Sequence, residues 1–357
     1  MNLKYLTTGV LLIAGVCGWA DSVEDCLFTA QRDGKESGSG FLLKEQDRTW
    51  MVSNCHVVQG SNEVRFVGMR DAGKVYNLPD TIEVAKDRDA VRFQVPADLN
   101  GLLTASDCSF DEAVRAYGNS GGAGVITKSA GTVIGKGRDE VEVSCEIVPG
   151  NSGGPVLNTN DQIVGIASFI IKAPKSPNSS RISASERSYL ERRLETVKGT
   201  RYEKTRRFAI PIADAEWQSV ALPVFKTESG IYGKIDEDQD RFFAAVSAIC
   251  QVRLLSEKYE DLFPRRWVRE YNRMLEEHGY FTTGGLSIYE GKSDSFKRRY
   301  SRCLKEAGTA AETLAGQIQG QADLLTVNYF KEQIKKKAEY LSRAGQEIAD
   351  AAVKVKP

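Results

Sequence analysis

Histidine is scarce in this chain, with only two, His56 and His278, among 357 residues. The cysteines contain no pair with C-x-x-C spacing, which structural zinc sites commonly use. With so few imidazoles and no such pair, the sequence predicts no structural metal site, and no motif in it indicates a cofactor.

An excess of either charge is also absent, because 48 Lys and Arg residues balance 48 Asp and Glu residues. A balanced chain has no global field that attracts nucleic acid or an anionic membrane. The basic stretch at residues 172–207 leaves nucleic-acid binding as a weak third option, without an aromatic platform to support it. We therefore predict no nucleic-acid partner.

A long apolar run is missing as well, and the apolar core at residues 10–16 is too short to span a bilayer. Lys4 before it and Gly18-Trp-Ala20 after it are typical of an export signal with a small-residue cleavage site. We expect a signal peptide over residues 1–20, a periplasmic or secreted mature chain and no stable membrane insertion. A lipid anchor on Cys17 is disfavoured because bulky Val16 precedes it.

An exported chain is permitted to form disulfides. Cys17 lies in the predicted signal peptide, and the other six of the seven cysteines remain in the mature chain. We expect disulfide bonds among them, but the pairing stays open. The six are Cys26, Cys55, Cys108, Cys145, Cys250 and Cys303.

Short β-type runs separated by glycine and charged turns fill residues 21–222, which predicts an all-β barrel or sandwich. The predicted strands are Asp25–Gln31, Gly40–Lys44, Trp50–Ser53, Glu63–Val67, Ala90–Val95, Ala113–Tyr117, Gly124–Val133, Glu140–Ile147, Pro155–Leu157, Ile163–Ile171 and Phe208–Ile212. The basic residues 172–207 interrupt this pattern. Ser183 and Glu186 form a capping box there, which indicates an insertion with its own helix; a disordered polar loop is the alternative.

After Val224 apolar residues recur at helical spacing. Pro264 begins a second helical segment through Glu277, and two long segments follow to Val353. Residues 225–357 are therefore predicted to form about four helices, stacked as hairpins or a small bundle. We expect this helical region to bind a partner or to self-associate.

Candidate chemistry centres on Val148-Pro-Gly-Asn-Ser-Gly-Gly-Pro155. Flanking glycines force a sharp turn that exposes the hydroxyl of Ser152, as a nucleophile requires. The N–H groups of Gly150 and Ser152 are then placed to hold an oxyanion. A plain Gly/Ser turn between strands is the alternative.

A serine nucleophile needs a base, and the base needs an acid to orient it. His56, after the apolar run Met51–Ser53, is the only histidine before the helical region. Asp89 stands directly before the predicted strand Ala90–Val95 and is the favoured acid; Asp87 is its competitor. The alternative is a structural histidine and a solvated charge cluster.

Four motifs, Gly38-Ser-Gly-Phe-Leu42, Ser53-Asn-Cys-His-Val-Val58, Ala116-Tyr-Gly-Asn119 and Pro149-Gly-Asn-Ser-Gly-Gly-Pro155, resemble those of trypsin-like serine peptidases. They are most similar to the HtrA/Deg-like branch. The resemblance implies two perpendicular six-stranded β-barrels over residues 21–224, with His56, Asp89 and Ser152 as catalytic triad. It also implies protein or peptide substrates and a role in protein quality control.

The sequence departs from that branch at several points. Cys55 replaces the usual alanine before the histidine, and no PDZ domain is recognisable after Val224. Asn151 is an amide where digestive relatives carry an aspartate that pairs with a freed N-terminal amine. Activation by a new N-terminus is therefore not expected.

Specificity is the most open point. By the resemblance, Glu146 stands at the base of the primary pocket, where its charge would favour Lys or Arg before the scissile bond. The alternative places Glu146 in solvent and leaves a small aliphatic pocket walled by Ala167 and Ser168. An exported serine endopeptidase is the leading hypothesis, and a weak or inactive protease scaffold whose helices bind a partner is the alternative.

Overall fold

The computed structural model describes residues 22–61, 63–171, 205–250, 253–256, 259, 262–277 and 293–355. The predicted signal peptide, the capping box in the insertion and His278 lie outside these residues.

Short strands in two antiparallel sheets make up most of the described parts of residues 27–171 and 205–221. The strands are β1 Leu27–Arg32, β2 Lys35–Glu45, β3 Arg48–Ser53, β4 Val64–Gly68, β5 Val75–Asn77, β6 Thr81–Ala85, β7 Val91–Val95, β8 Ala113–Gly118, β9 Thr127–Lys136, β10 Val141–Val143, β11 Pro155–Leu157, β12 Ile163–Ile171, β13 Arg206–Ile210 and β14 Trp217–Ala221.

The first sheet has eight strands in the order β14-β6-β7-β3-β2-β1-β4-β5. The second closes into a barrel in the order β10-β13-β12-β11-β8-β9. An apolar cluster that includes Val114, Val133, Val156 and Ala209 packs in this barrel. The predicted double-barrel fold is confirmed: the second sheet is a closed six-stranded barrel, and the first is a half-barrel sheet with eight strands instead of six.

Every predicted strand overlaps an observed one, while β5, β6 and β14 were not predicted. The missed β14 has a single buried side chain, Val220, so its sequence carries little hydrophobic signal. It is held instead by pairing with β6, in register from Trp217 opposite Ala85 to Ala221 opposite Thr81.

The predicted helical region is confirmed. After the one-turn helix α1, Cys55–Val58, come α2 Leu222–Cys250, α3 Arg265–Glu277, α4 Asp294–Ala322 and α5 Asn328–Lys354. Helices α4 and α5 form a close pair that crosses at Gly308 and Gly345. A Cβ added at Gly345 would lie 2.9 Å from the carbonyl oxygen of Gly308, so glycine permits this approach. In the described part of the chain no helix is long and apolar enough to cross a membrane.

The start of α5 is fastened to the first sheet and to α2. The buried carboxylate of Glu228 accepts hydrogen bonds from the N–H groups of Thr326 and Val327, at 2.9 and 2.8 Å. The amide of Gln218 on β14 donates to the carbonyl of Thr326 and accepts from the N–H of Asn328. One apolar core therefore runs from the first sheet into the helices.

Candidate active site

His56 and Asp89 meet at one end of the first sheet. Strand β3 ends at Ser53 and leads into α1, and its neighbour β7 begins at Val91, directly opposite Ser53. The distance from His56 Nδ1 to Asp89 Oδ2 is 2.5 Å, and the main-chain N–H of His56 donates to Asp89 Oδ1 at 3.2 Å. The main-chain bond holds the carboxylate in place, and the bond to Nδ1 orients the imidazole.

The competing carboxylate, Asp87, turns elsewhere. It accepts two hydrogen bonds from the guanidinium of Arg88, at 3.0 and 3.1 Å. Arg88 is itself buried and also binds Asp214 at 2.8 Å. The structure therefore joins Asp89, and not Asp87, to His56.

The His56–Asp89 contact shifts the pKa of both groups. Burial alone would lower the pKa of His56, but the charge of Asp89 and its hydrogen bond outweigh burial and raise the pKa above 6.5. Burial alone would raise the pKa of Asp89, yet the charge and hydrogen bonds of His56 hold it below its usual value. Asp89 is thus ionised at neutral pH.

Ser152 lies in a turn whose conformation requires glycine on both sides. Gly150 has φ +96° and Gly153 has φ +89°. A Cβ at either position would also lie 2.0 Å from a carbonyl oxygen, that of Asn119 or of Ser39 respectively. The motif is therefore more than a loop signal, because both glycines are required sterically.

The turn is clamped by neighbouring loops. The hydroxyl of Ser39 donates to the carbonyl of Gly150 at 2.7 Å, and the N–H of Ser39 donates to the carbonyl of Ser152 at 2.8 Å. The N–H of Gly121 donates to the carbonyl of Pro149 at 2.7 Å. Within the described chain the N–H groups of Gly150 and Ser152 make no hydrogen bond, so both are free to bind an oxyanion.

Asn151 anchors the same turn without an ion pair. Its buried amide oxygen accepts from the N–H of Val148 at 2.9 Å and from the hydroxyl of Ser120 at 3.1 Å. Its nitrogen donates to the hydroxyl of Thr127 at 3.3 Å. Neutral partners therefore satisfy the amide, as expected for a turn that needs no N-terminal amine.

Ser168 links the acid to the nucleophile. Its hydroxyl donates to Asp89 Oδ2 at 3.0 Å, and its carbonyl accepts from Ser152 Oγ at 2.9 Å. No hydrogen bond joins Ser152 to His56 among the described residues. The structure thus brings all three predicted residues to one site, but the serine hydroxyl is turned toward Ser168.

The predicted pocket residues separate into two groups. Ala167 and Ser168 are buried, and Ala167 exchanges main-chain hydrogen bonds with Gly153 and Gly154. Glu146 is exposed, while its neighbours Cys145 and Ile147 are buried. This placement favours the alternative in which Glu146 faces solvent.

The helical region reaches the back of this site, which the sequence did not indicate. Tyr329, on the first turn of α5, is buried, and burial together with the charge of Asp89 raises its pKa well above the usual value. Burial raises the pKa of Tyr232 on α2, and the negative charges of Asp236 and Asp89 raise it further. Both phenols therefore stay neutral beside the carboxylate.

The expected disulfides are not formed by four of the cysteines. Cys55, Cys108, Cys145 and Cys303 are buried free thiols. Burial and the charge of Asp89 raise the pKa of Cys55 well above its usual value, so this thiol is not a competing nucleophile. Among the described residues no cluster of three or more His, Cys, Asp or Glu could hold a metal.

Comparison with known proteins matches the same part of the chain. The family model described as "Trypsin-like peptidase domain" matches residues 38–166. The chain is 31% identical over 150 residues to the "Probable periplasmic serine endoprotease DegP-like" of Hahella chejuensis, covering 39% of this chain and 31% of that protein. It is 27% identical over 156 residues to the protein of the same name from Chlamydia trachomatis, covering 40% and 29% respectively.

A further relative is the "Serine protease Do-like HtrA" of Bacillus subtilis, 29% identical over 154 residues, covering 38% of this chain and 34% of that protein. The chain therefore spans about a third of the length of these relatives. A solved serine endoprotease from Yersinia pestis has 19% identity and a TM-score of 0.37, over 53% of this chain and 59% of that one.

Proposed function

Since this chain carries a trypsin-like peptidase domain of the HtrA/DegP branch, we propose that it is an exported serine endopeptidase acting on proteins or peptides. Residues 21–224 form the peptidase part of the proposal and residues 225–357 its helical region. The observation that carries the proposal is the 2.5 Å contact of His56 Nδ1 with Asp89, within a site that also holds Ser152.

In the proposed reaction Ser152 Oγ attacks the carbonyl carbon of the scissile peptide bond. His56 accepts the serine proton and passes it to the amine as the peptide bond breaks, so that an acyl-enzyme is formed. Water then hydrolyses the acyl-enzyme. Because Asp89 binds Nδ1, the nitrogen available as base is Nε2. The ionised Asp89 then stabilises the imidazolium.

Negative charge that develops on the carbonyl oxygen is received by the N–H groups of Gly150 and Ser152, to which no described residue is hydrogen-bonded. Attack also requires the hydroxyl of Ser152 to leave the carbonyl of Ser168 and turn toward His56. This is a rotation about the Cα–Cβ bond between staggered rotamers and breaks one neutral hydrogen bond.

The test is labelling of the purified full chain with a fluorophosphonate probe, followed by mass spectrometry of the labelled peptide. We expect modification of Ser152 and none in Ser152→Ala, with casein hydrolysis lost in the same variant. Ser219→Ala, at an exposed serine on β14, is the matched control and should label normally. Unchanged casein hydrolysis by Ser152→Ala would contradict the assignment.

A second candidate is a protease scaffold of little activity, and the bond from Ser152 to Ser168 is the observation that favours it. A scaffold would fold and bind partners without reacting with the probe. Absence of labelling in folded protein at any pH from 6 to 9 would therefore select this reading.

A further inference from the structure

Arg207 lies on β13, the strand that pairs with the strand carrying Ser168. Strand β13 pairs with β12 so that Ala209 is opposite Ala167 and Arg207 is opposite Ile170. Residue Ser168, between those two positions on β12, is the one whose carbonyl accepts the hydroxyl of Ser152. Arg207 is therefore opposite a residue that lies two positions from Ser168 on β12.

Strand alternation determines the face on which Arg207 lies. Ala209, two residues along β13, packs in the apolar cluster inside the barrel with Cys145, Ile147 and Ala167. Residues i and i+2 of a strand share a face, so Arg207 lies on this inner face, at the end of the barrel nearer the predicted pocket. Its positive charge acts on Cys145, where it partly opposes the rise in pKa that burial causes.

The neighbouring arginine is arranged differently. Arg206 lies on the outer face, where its guanidinium makes two 3.0 Å hydrogen bonds to Glu142 and covers the ring of Phe208. Arg207 has neither kind of partner. Its Nε is buried without a hydrogen bond, and no ion pair to its guanidinium is formed within the described residues.

Arg207 is partly exposed, and among the described residues no anion pairs with its guanidinium. The exposed Glu146 does not supply it, since no ion pair joins the two residues. A carboxylate is the group whose two oxygens match the guanidinium fork.

We infer that Arg207 determines primary specificity by binding the carboxylate of a substrate Asp or Glu at the residue before the scissile bond. This inference rests on the proposed function, since it assigns a substrate class to the same site. It reverses the preference for Lys or Arg that a pocket-facing Glu146 would give.

The experiment compares the full chain on peptides that differ only before the scissile bond, with Glu, Asp, Gln, Val or Lys there. We expect kcat/KM for Glu or Asp to exceed that for Gln by about 10- to 100-fold, the range for one hydrogen-bonded charge pair. Arg207→Gln should remove this preference while Ser152 still reacts with the fluorophosphonate probe. Arg207→Lys should retain part of it, because the charge remains.

Arg138→Gln, which removes the same group from an exposed turn, is the matched control and should keep the preference. Glu146→Gln should leave it unchanged or increase it. If the wild type reacts with the probe but cleaves preferentially after Val or Lys, the role of Arg207 is wrong while the proposed function stands. An acidic preference that survives in Arg207→Gln has the same meaning. A folded wild type that neither labels nor cleaves overturns the proposed function, and the specificity with it.

Discussion

The hydroxyl of Ser152 donates a 2.9 Å hydrogen bond to the main-chain carbonyl of Ser168, whose own hydroxyl donates to Asp89. One residue of β12 thus holds both the nucleophile's side chain and the carboxylate. The carbonyl of Ser168 belongs to the main chain and is present whatever the side chain is. The hydroxyl that binds Asp89 depends on the side chain. The two roles can be separated by mutation.

Ser168→Ala keeps the carbonyl and removes one donor from the Asp89 carboxylate. We expect kcat/KM to fall about 10-fold or more, since a hydrogen bond to a charged group contributes roughly 1.5–3 kcal/mol. Ser168→Thr retains the hydroxyl and should restore most of the activity. Equal rates for wild type and Ser168→Ala would show that this donor does not support Asp89.

The pH profile should report the raised pKa of His56. Protonated imidazole cannot act as base, so activity is lost as pH falls through this pKa, and we expect the apparent pKa of kcat/KM to lie above 6.5. In Asp89→Asn the stabilising charge is gone and burial remains, so the pKa should drop below that of wild type. Activity should fall by about 10⁴-fold, as for the same change in other triads.

NMR titration of the imidazole measures this pKa even in a nearly inactive variant. With only two histidines in the chain, His278→Gln assigns the signals. A His56 pKa that is the same in wild type and Asp89→Asn would refute the electrostatic coupling.

Glu228 should be a major support of the helical region. In Glu228→Gln an amide N–H₂ replaces one carboxylate oxygen, and the charge that binds the start of α5 is lost. We expect the free energy of unfolding to fall by about 1.5–3 kcal/mol. Glu237→Gln, at an exposed position of the same helix, should change it by less than about 0.5 kcal/mol. Denaturant unfolding followed by circular dichroism measures both.

Alanine substitutions at two glycines, one on α4 and one on α5, should change stability in opposite directions. Gly345→Ala places a Cβ against the carbonyl of Gly308 and should lower the melting temperature, although alanine is the better helix former. Gly316→Ala meets no atom within 4 Å and should raise stability by roughly 0.5–1 kcal/mol. Stabilisation by both substitutions would mean that the helices do not approach as closely as described.

Much of the fold was predictable because local patterns carry it. Apolar runs such as Ile163–Ile171 and the glycine-flanked Ser152 specify strands and a sharp turn through their own residues. Strand β14 was not predictable, because its place depends on pairing with β6 and on contacts from α5. Edge strands with one buried residue have no sequence signature of their own.

The sequence by itself determined two of the three candidate groups, His56 and Ser152, and the β-then-α order of the chain. It left Asp87 and Asp89 open, and tertiary structure decided between them, because Arg88 draws Asp87 away. Tertiary structure alone placed Tyr329 beside Asp89 and, among the described residues, left the buried Nε of Arg207 without a hydrogen bond. Such contacts join residues far apart in sequence, and their energies depend on burial and distance, which no local pattern encodes.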